Sequence, residues 1–241
     1  MKDILGAMKE EELYLKQKQD ESVYGSLRSR LEKYGYDNLE DYFEDKQAYR
    51  LKQIDFEIFY DEPTDGVDKR VWQAIKDKRN CIWLPKLEKV LACVGKHEFD
   101  YDLAAELGVG VLNMPHAGGT IITGPDDLTV GIHFVADRDL EFNYFFKRMA
   151  KYLKQFNIYP LGNDFMYDGK KVMGCSFNQT EHGMSTFFFS CTFTDHLDLI
   201  KKLCSKKSLK TPGFIPSNVL TKQQLLAEVL SWVNTQQHSD Q

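Results

Sequence analysis

The sequence lacks any long hydrophobic run, and its first residues lack the apolar centre of a signal peptide. A membrane-spanning helix needs about 20 consecutive apolar residues, and no run in this chain approaches that length. Residues 1–18 are densely charged instead, which is not the pattern of a secretory leader. We therefore expect a cytoplasmic protein without a membrane-spanning segment.

The sequence also lacks the spacings of a disulfide framework or a zinc site. Its five cysteines are odd in number, scattered and without CxxC spacing, so we expect reduced thiols. His116, His133 and His182 have no metal-ligand spacing with one another or with the cysteines. We therefore expect no zinc site.

Positive charge is in deficit, because the formal net charge is −5. Binding to a nucleic-acid backbone needs clustered lysine and arginine, so we expect no nucleic-acid partner. The one dense basic cluster consists of Lys201, Lys202, Lys206, Lys207 and Lys210. Two interpretations stay open for it: a solvated helix end and loop, or a surface that steers an acidic protein or a phosphate.

The length of 241 residues is sufficient for one catalytic core with an appendage. Residues 1–66 are charged and helical in pattern, with two short helices expected between Leu27 and Phe43. A turn at Pro63 to Gly66 marks the predicted boundary. The core is then expected over 67–234, followed by a disordered tail over 235–241.

Hydrophobic periodicity within the core predicts both strands and helices. Leu128, Val130, Ile132 and Phe134 alternate with polar or small residues, as in a half-buried strand. The segment from Leu140 to Phe156 carries apolar residues on one helical face. Elements of both kinds in mixed order predict an α+β fold, with a mixed, largely antiparallel sheet flanked by helices.

The most informative segment is a predicted hairpin. Two extended runs, Asp164 to Tyr167 and Lys171 to Cys175, are separated by Asp168-Gly169-Lys170, and an Asp-Gly pair between such runs is a strong hairpin signal. Asp164 and Lys171 are therefore predicted on neighbouring strands. Earlier in the chain, a small-residue turn at His116 to Thr120 would allow close approach of the backbone to a ligand.

These segments resemble the lipoate–protein ligases, relatives of the biotin–protein ligases and octanoyltransferases. The resemblance runs from about Asp68 to the C-terminus, and it is carried by four segments in the family's order. They are the glycine-run segment Asn113 to Thr120, the Lys171-Val172-Met173-Gly174 motif, the strand Thr186 to Ser190, and the stretch from Lys206 to Val219.

The resemblance implies ATP-dependent transfer of a lipoyl or related acyl group, through an acyl-adenylate, to a lysine of a lipoyl carrier domain. The carrier would be a glycine-cleavage H protein or a dehydrogenase acyltransferase subunit. Lipoate and ATP would be substrates, with Mg²⁺ as the metal. Lys171 would be the catalytic residue, stabilising charge on the carbonyl and phosphate oxygens, and Asp164 would hold the metal.

Further site residues follow from the same resemblance. Asn163 would position the nucleotide, Gly118 and Gly119 would let the backbone approach the acyl chain, and Val172 would line an aliphatic tunnel. The full expected set of substrate- and nucleotide-binding residues is His116, Ala117, Gly118, Gly119, Thr120, Asn163, Val172 and Gly174.

The chain also departs from the family pattern. Asn113, Met114 and Pro115 stand where an arginine normally precedes the glycine run, Ala117 replaces one glycine, and Met173 replaces a serine. Two alternatives to the ligase therefore stay open. One is an acyltransferase that works without ATP and uses Cys204 as its nucleophile, and the other is a relative that binds a ligand or partner without catalysis.

Overall fold

The computed structural model describes residues 2–16, 22–61, 69–94, 98–113, 120–136, 143–179, 183–204 and 210–236. The helices are α1 Ile4–Leu15, α2 Ser22–Lys33, α3 Leu39–Leu51, α4 Lys69–Lys76, α5 Tyr101–Glu106, α6 Tyr144–Leu153, α7 Leu197–Leu203 and α8 Lys222–Ser231. The strands are β1 Asp55–Asp61, β2 Cys81–Pro85, β3 Leu91–Val94, β4 Gly110–Asn113, β5 Ile121–Thr123, β6 Leu128–Phe134, β7 Tyr159–Leu161, β8 Asp164–Tyr167, β9 Lys170–Gln179, β10 Ser185–Cys191 and β11 Asn234–Gln236.

An eight-stranded sheet is the centre of the fold, with strand order β11-β1-β2-β6-β10-β9-β8-β7. The β11–β1 and β1–β2 pairs are parallel, and the other five neighbouring pairs are antiparallel. A smaller sheet has the order β4-β3-β5. The predicted α+β class, with a mixed and largely antiparallel sheet flanked by helices, is confirmed.

The main core lies on one face of the large sheet. Strand β6 directs Leu128, Val130, Ile132 and Phe134 to this face, as the alternation predicted, but the strand is buried on both faces and is not half-buried as expected. Helix α6 covers it with Phe145, Met149 and Leu153, and α8 adds further apolar contacts. Helix α6 ends at Leu153, earlier than predicted, because 154–156 form a 3₁₀ turn. The start of the predicted helix, 140–142, lies outside the described residues.

The opposite face of the same strands carries a different set of side chains. On β6 these are Thr129, Gly131 and His133, and their partners on β10 are Ser190, Phe188 and Thr186. Because side chains alternate across a strand, one residue pattern serves both a core and a second, more polar surface.

Three helices, not the two expected, precede the sheet. Helix α1 was missed because its charged sequence carries little apolar periodicity. Its Ala7 packs with Leu27, Leu31, Tyr36 and Tyr42 from the other two helices and their connection. The predicted boundary turn at Pro63 to Gly66 lies outside the described residues.

The three helices are connected to the main core at several points. Leu51 at the end of α3 lies in the main core cluster. Lys151 of α6 donates to Glu44 of α3 at 2.8 Å, and Lys52 Nζ donates to the Ser231 carbonyl oxygen.

Residues 235 and 236, predicted as the start of a disordered tail, form the end of a strand instead. Asn234–Gln236 forms β11, which pairs in parallel with β1 in the register Asp55 to Asn234. The polar composition of this segment hides a strand that completes the edge of the sheet through backbone hydrogen bonds. The rest of the tail lies outside the described residues.

No helix among the described residues has both the length and the apolar character needed to cross a membrane.

A buried ion pair inside the helical cluster provides a stability test. Glu11 accepts hydrogen bonds from Lys46 Nζ at 2.8 Å and from the Tyr42 hydroxyl at 2.5 Å, and both charged side chains are almost fully buried. Because Glu11→Ala leaves the Lys46 ammonium buried without this partner, we expect it to lower the free energy of unfolding by about 3 kcal/mol. Urea denaturation measures this loss.

The neighbouring Glu12 is the matched control, since it forms an exposed pair with Lys16 on the same helix. We expect Glu12→Ala to change the free energy of unfolding by less than about 0.5 kcal/mol. Equal losses for the two variants would show that the Glu11 ion pair is not a special element of the cluster.

Candidate active site

The predicted hairpin is present and joins β8 to β9. Its turn residues Asp168 and Gly169 have φ values of 48° and 70°, the paired positive values of a type I′ turn. This turn matches the right-handed twist of the flanking strands, which explains why the Asp-Gly pair was a reliable signal. Asp164 and Lys171 therefore lie on adjacent strands, as expected.

A β-bulge in β9 determines which face Lys171 occupies. Phe165 pairs with Met173, but Met166 pairs with Lys171, so Val172 is an extra residue without a partner on β8. Without the bulge, Lys171 would share the face of Met173 and enter the main core. The extra residue brings Lys171 to the face of Gly174 and Asp164, a known use of bulges beside functional sites.

The Asp164 carboxylate binds two lysines. Lys171 Nζ lies 2.9 Å from Oδ1 of Asp164, and Lys210 Nζ lies 2.7 Å from Oδ2. Lys210 also donates to the Leu161 carbonyl oxygen at 2.8 Å. The Asp164 and Lys171 side chains are 19% and 23% exposed, so the charges are partly shielded from water. Two ammonium groups on one carboxylate leave this part of the site with a net positive charge.

The electrostatic surroundings keep Asp164 ionised. Burial acts to raise the pKa of Asp164, but hydrogen bonds and charge attraction from Lys210 and Lys171 outweigh this effect. The pKa of Asp164 is therefore lowered.

Lys210 was not among the predicted site residues. It is positioned by the segment 211–213, which pairs with the start of β9: Lys171 N donates to the Thr211 carbonyl oxygen, and Gly213 N donates to that of Lys171, both at 2.8 Å. A side chain at Gly213 would lie 2.6 Å from Lys170 Cβ, so glycine is needed for this approach. The basic cluster was the only sequence signal for Lys210.

Gly174 provides the space in which the Lys171 side chain lies. A Cβ atom at position 174 would stand 3.2 Å from Lys171 Nζ and 2.6 Å from Ile121 Cδ1. The ammonium therefore rests above the glycine, and β5 covers it through Ile121. This contact explains the Lys-Val-Met-Gly spacing. The bulge at Val172 turns Lys171 to the face of Gly174, and the missing side chain of Gly174 leaves space for the Lys171 ammonium.

Asp127 connects the β5–β6 turn to the chain that follows β10. Its carboxylate is fully buried and accepts from the backbone N–H groups of Gly124, Phe193 and Thr194 at 2.7 to 3.0 Å. His196 Nε2 lies 2.6 Å from the same carboxylate. These four contacts fix β5 across the second face of the sheet, above Gly174.

Small and polar residues form the floor beneath β5. Gly174 pairs with Ser190, and Ser190 pairs with Thr129, so the three residues form a row across β9, β10 and β6. Thr129 Oγ1 lies 3.0 Å from Ser190 Oγ and 3.4 Å from Thr123 Oγ1 of β5. The floor therefore combines little side-chain bulk with hydrogen-bonding groups, next to two lysines.

Several solved structures are similar to this chain. The chain matches P. falciparum LipL1 in complex with lipoate at a TM-score of 0.54 and 12% identity. It also matches lipoate-protein ligase A bound with ATP, at a TM-score of 0.55 and 13% identity. The match covers 73% and 76% of this chain, respectively.

A third match is the archaeal lipoylation system of Thermoplasma acidophilum, described as a bipartite lipoate protein ligase and its E2 lipoyl domain. The TM-score is 0.54 and the identity 14%. The chain has the lipoate–protein ligase fold. It spans 60% of the P. falciparum protein and 88% of the T. acidophilum one. No protein-family model and no curated protein matches the sequence.

Of the predicted site residues from His116 to Thr120, the structure describes only the last. His116, Ala117, Gly118 and Gly119 lie outside the described residues. Thr120 is described and buried, and its hydroxyl has no hydrogen-bond partner within the described ranges.

Two predicted residues of the hairpin region differ in exposure. Asn163 is exposed beside Asp164, and its carbonyl oxygen accepts from Cys175 N at 2.8 Å. The tunnel role of Val172 stays a prediction; the structure places its side chain in the main core, on the face away from Lys171.

The metal-binding role predicted for Asp164 stays a prediction. Each of its oxygens binds one ammonium group, so a cation at Asp164 would share the carboxylate with Lys171 and Lys210. Within the described part of the chain, no group of three His, Cys, Asp or Glu side chains is placed to hold a metal ion. Magnesium at this site would therefore depend on oxygen ligands from a substrate.

Cys204 does not have the properties of a nucleophile. It lies with Ile200 and Leu203 in a second buried cluster, and burial raises its pKa. A reactive cysteine needs the opposite, a lowered pKa that favours the thiolate. The transferase alternative therefore loses its candidate residue.

A broad surface depression of about 710 Å³ lies beside this cysteine. Glu98, Asp100 and Asp102 line it together with Lys202. The excess of carboxylates disfavours an acyl phosphate there. The lysine-rich face at Gly174 is therefore the better candidate site.

The Asp164 ion pairs predict a specific pH dependence of stability. Because the pKa of Asp164 is lowered on folding, its stabilising effect is present above the unfolded-state pKa, about 3.9, and is lost as the pH falls through the folded-state value. Asp164→Asn should therefore be less stable than the wild type at neutral pH, with the difference disappearing in acid.

Chemical denaturation across the acidic range, followed by circular dichroism, measures this difference. Asp168→Asn, in the exposed turn of the same hairpin, is the control and should leave the profile unchanged. A stability difference between Asp164→Asn and the wild type that stays constant with pH would contradict the assignment.

Proposed function

We propose that this protein activates a carboxylic acid of the lipoate type with ATP and transfers the acyl group to a lysine of a lipoyl carrier domain. The observation that carries the proposal is the Lys171 ammonium, held over Gly174 by the bulge and paired with Asp164. Its position on a small-residue floor is suited to a substrate that is both anionic and elongated.

The reaction has two steps. In the first, a carboxylate oxygen of the acid attacks the α-phosphorus of ATP, and pyrophosphate leaves with the electrons of the broken P–O bond. In the second, the neutral ε-amine of the acceptor lysine attacks the acyl carbonyl carbon, AMP leaves, and the amine loses a proton. Negative charge develops on phosphate oxygens in the first step and on the carbonyl oxygen in the second.

Lys171 would serve both steps, because a fixed cation close to both oxygens stabilises each developing charge. Its partly buried position makes that attraction stronger than it would be in water. Lys210 would have a complementary role, since it neutralises Asp164 at 2.7 Å while the Lys171 charge turns to the substrate. This second cation offers compensation for the absent arginine of the glycine run.

Magnesium would enter the site bound to the phosphates of ATP. ATP phosphate oxygens are ligands that Mg²⁺ prefers, and the ion typically needs few protein carboxylates. Asp164 would then orient the two lysines instead of binding the metal. Asn163, exposed next to Asp164, stays a candidate for contact with the nucleotide.

The proposed acceptor is a lipoyl carrier domain. Support comes from the fold shared with the T. acidophilum ligase, which was studied together with its E2 lipoyl domain. Lys201 is exposed on α7, so it is available to steer an acidic carrier.

The proposal predicts different effects for two adjacent lysines. Lys171→Ala should lower the rate of pyrophosphate release about 100-fold to 1,000-fold, the usual effect of removing one charge-stabilising group. Lys170→Ala is the matched control, because Lys170 is exposed and begins the same strand. We expect it to retain nearly full activity in the presence of acid, ATP and Mg²⁺.

Thermal denaturation of both variants separates a catalytic defect from misfolding. The proposal requires Lys171→Ala to stay folded while pyrophosphate release is lost. Normal release by a folded Lys171→Ala protein, or equal losses in both variants, would refute the assigned role.

A further inference from the structure

Two buried polar atoms on the second face of the sheet have no hydrogen-bond partner among the described residues. They are Nε2 of His133 and Nε1 of Trp83. The residues are only 7% and 2% exposed, so bulk solvent does not reach these atoms. Buried polar groups are normally hydrogen-bonded, and we take the exception at a candidate site as an indication of a bound ligand group.

Both side chains lie at Gly131. A Cβ atom at Gly131 would stand 3.2 Å from His133 Nε2 and 3.4 Å from Trp83 Cε3. Trp83 pairs with Gly131 across β2 and β6, and its ring stacks on Phe188 with centroids 6.4 Å apart. The imidazole and the indole thus meet above a residue that has no side chain.

This position lies on the same face as Lys171. Gly174 pairs with Ser190, Ser190 pairs with Thr129, and Gly131 follows two residues later on β6. Two strand spacings and two residues along a strand give about 12 Å between Gly174 and Gly131. A medium-length aliphatic chain, with its carboxyl end at Lys171, would span that distance and place its far end at Gly131.

The hydrogen-bonding chemistry at Gly131 is that of uncharged groups. His133 Nδ1 lies 2.9 Å from Thr186 Oγ1, which fixes the ring and leaves Nε2 as the free nitrogen. Burial lowers the pKa of His133 to about 4, so the imidazole is neutral at physiological pH. Trp83 Nε1 can only donate. A carboxylate at this end would be desolvated without a countercharge.

We propose that the substrate is a medium-chain acid whose far end, unlike the dithiolane of lipoate, carries an uncharged hydrogen-bonding group such as a hydroxyl or amide, which binds His133 Nε2 and Trp83 Nε1. This inference deepens the proposed function and rests on it for the position of the carboxyl end. Because both nitrogens are buried in the free protein, the ligand has to displace the side chains that cover them. His133 and Trp83 are then specificity residues, remote from the reacting atoms.

Calorimetry with a matched pair of acids tests the inference. The wild-type full chain is titrated separately with octanoate and with ω-hydroxyoctanoate, which differ only in the terminal hydroxyl. We expect ω-hydroxyoctanoate to bind about tenfold to a hundredfold more tightly, because the apolar chain leaves both buried groups unpaired. The ratio of affinities is measured on one preparation, so it does not depend on the active fraction.

Variants at the two residues should change that ratio in a graded way. His133→Phe and Trp83→Phe keep an aromatic ring but remove the hydrogen-bonding nitrogen, so each should reduce the preference towards equality. His133→Gln retains a hydrogen-bonding side chain and should restore part of it. A purely structural role would change both affinities in parallel and leave the ratio unaltered.

Equal binding of the two acids by the wild type, tighter binding of octanoate, or no binding of either would overturn the inference. An affinity ratio between the two acids that is unchanged in His133→Phe would also overturn the inference. Pyrophosphate release is recorded separately with ATP and Mg²⁺. If that reaction is absent while the hydroxyl preference is present, the proposed function fails and the specificity inference stands.

Discussion

The shared carboxylate of Asp164 is the interaction on which the site depends. It holds Lys171 and Lys210 at 2.9 and 2.7 Å, so two like charges stay close together beside the sheet. Neither lysine reaches it without a special backbone feature. Lys171 needs the bulge at Val172 and the absent side chain of Gly174, whereas Lys210 needs the segment that docks on β9. Each feature is costly in isolation and is explained by the ion pairs it permits.

One sheet serves two purposes through its alternation of side chains. The first face buries large apolar residues such as Phe187 and Phe189, which supply most of the stability through the hydrophobic effect. The second face carries Gly131, Gly174 and Ser190, whose small size lets Lys171, His133 and Trp83 lie close to the sheet. Strand β5 covers that face because Asp127 fixes its turn. The rigid core therefore positions a site that contains charged and polar side chains, as precise charge placement requires.

Local signals in the sequence were enough for strand β6 and the hairpin. The Asp168-Gly169 turn and the alternation in β6 are short-range patterns, and both are confirmed. The role of Lys210 was not visible, because its contact with Asp164 joins residues 46 positions apart. The core position of Val172 depends on a bulge, and a single extra residue reverses the face of the side chains before it. The orphaned nitrogen of His133 could likewise emerge only from packing in three dimensions.

The most direct test of the account is mass spectrometry of the small molecules released after the protein is incubated with ATP, Mg²⁺ and acid. Lipoate and ω-hydroxyoctanoate are supplied in separate reactions. The account predicts an acyl-AMP retained by the wild-type protein with at least one of these acids. Recovery of only unchanged acid and ATP from folded protein in both reactions would contradict the claim that the Lys171 face activates a carboxylic acid.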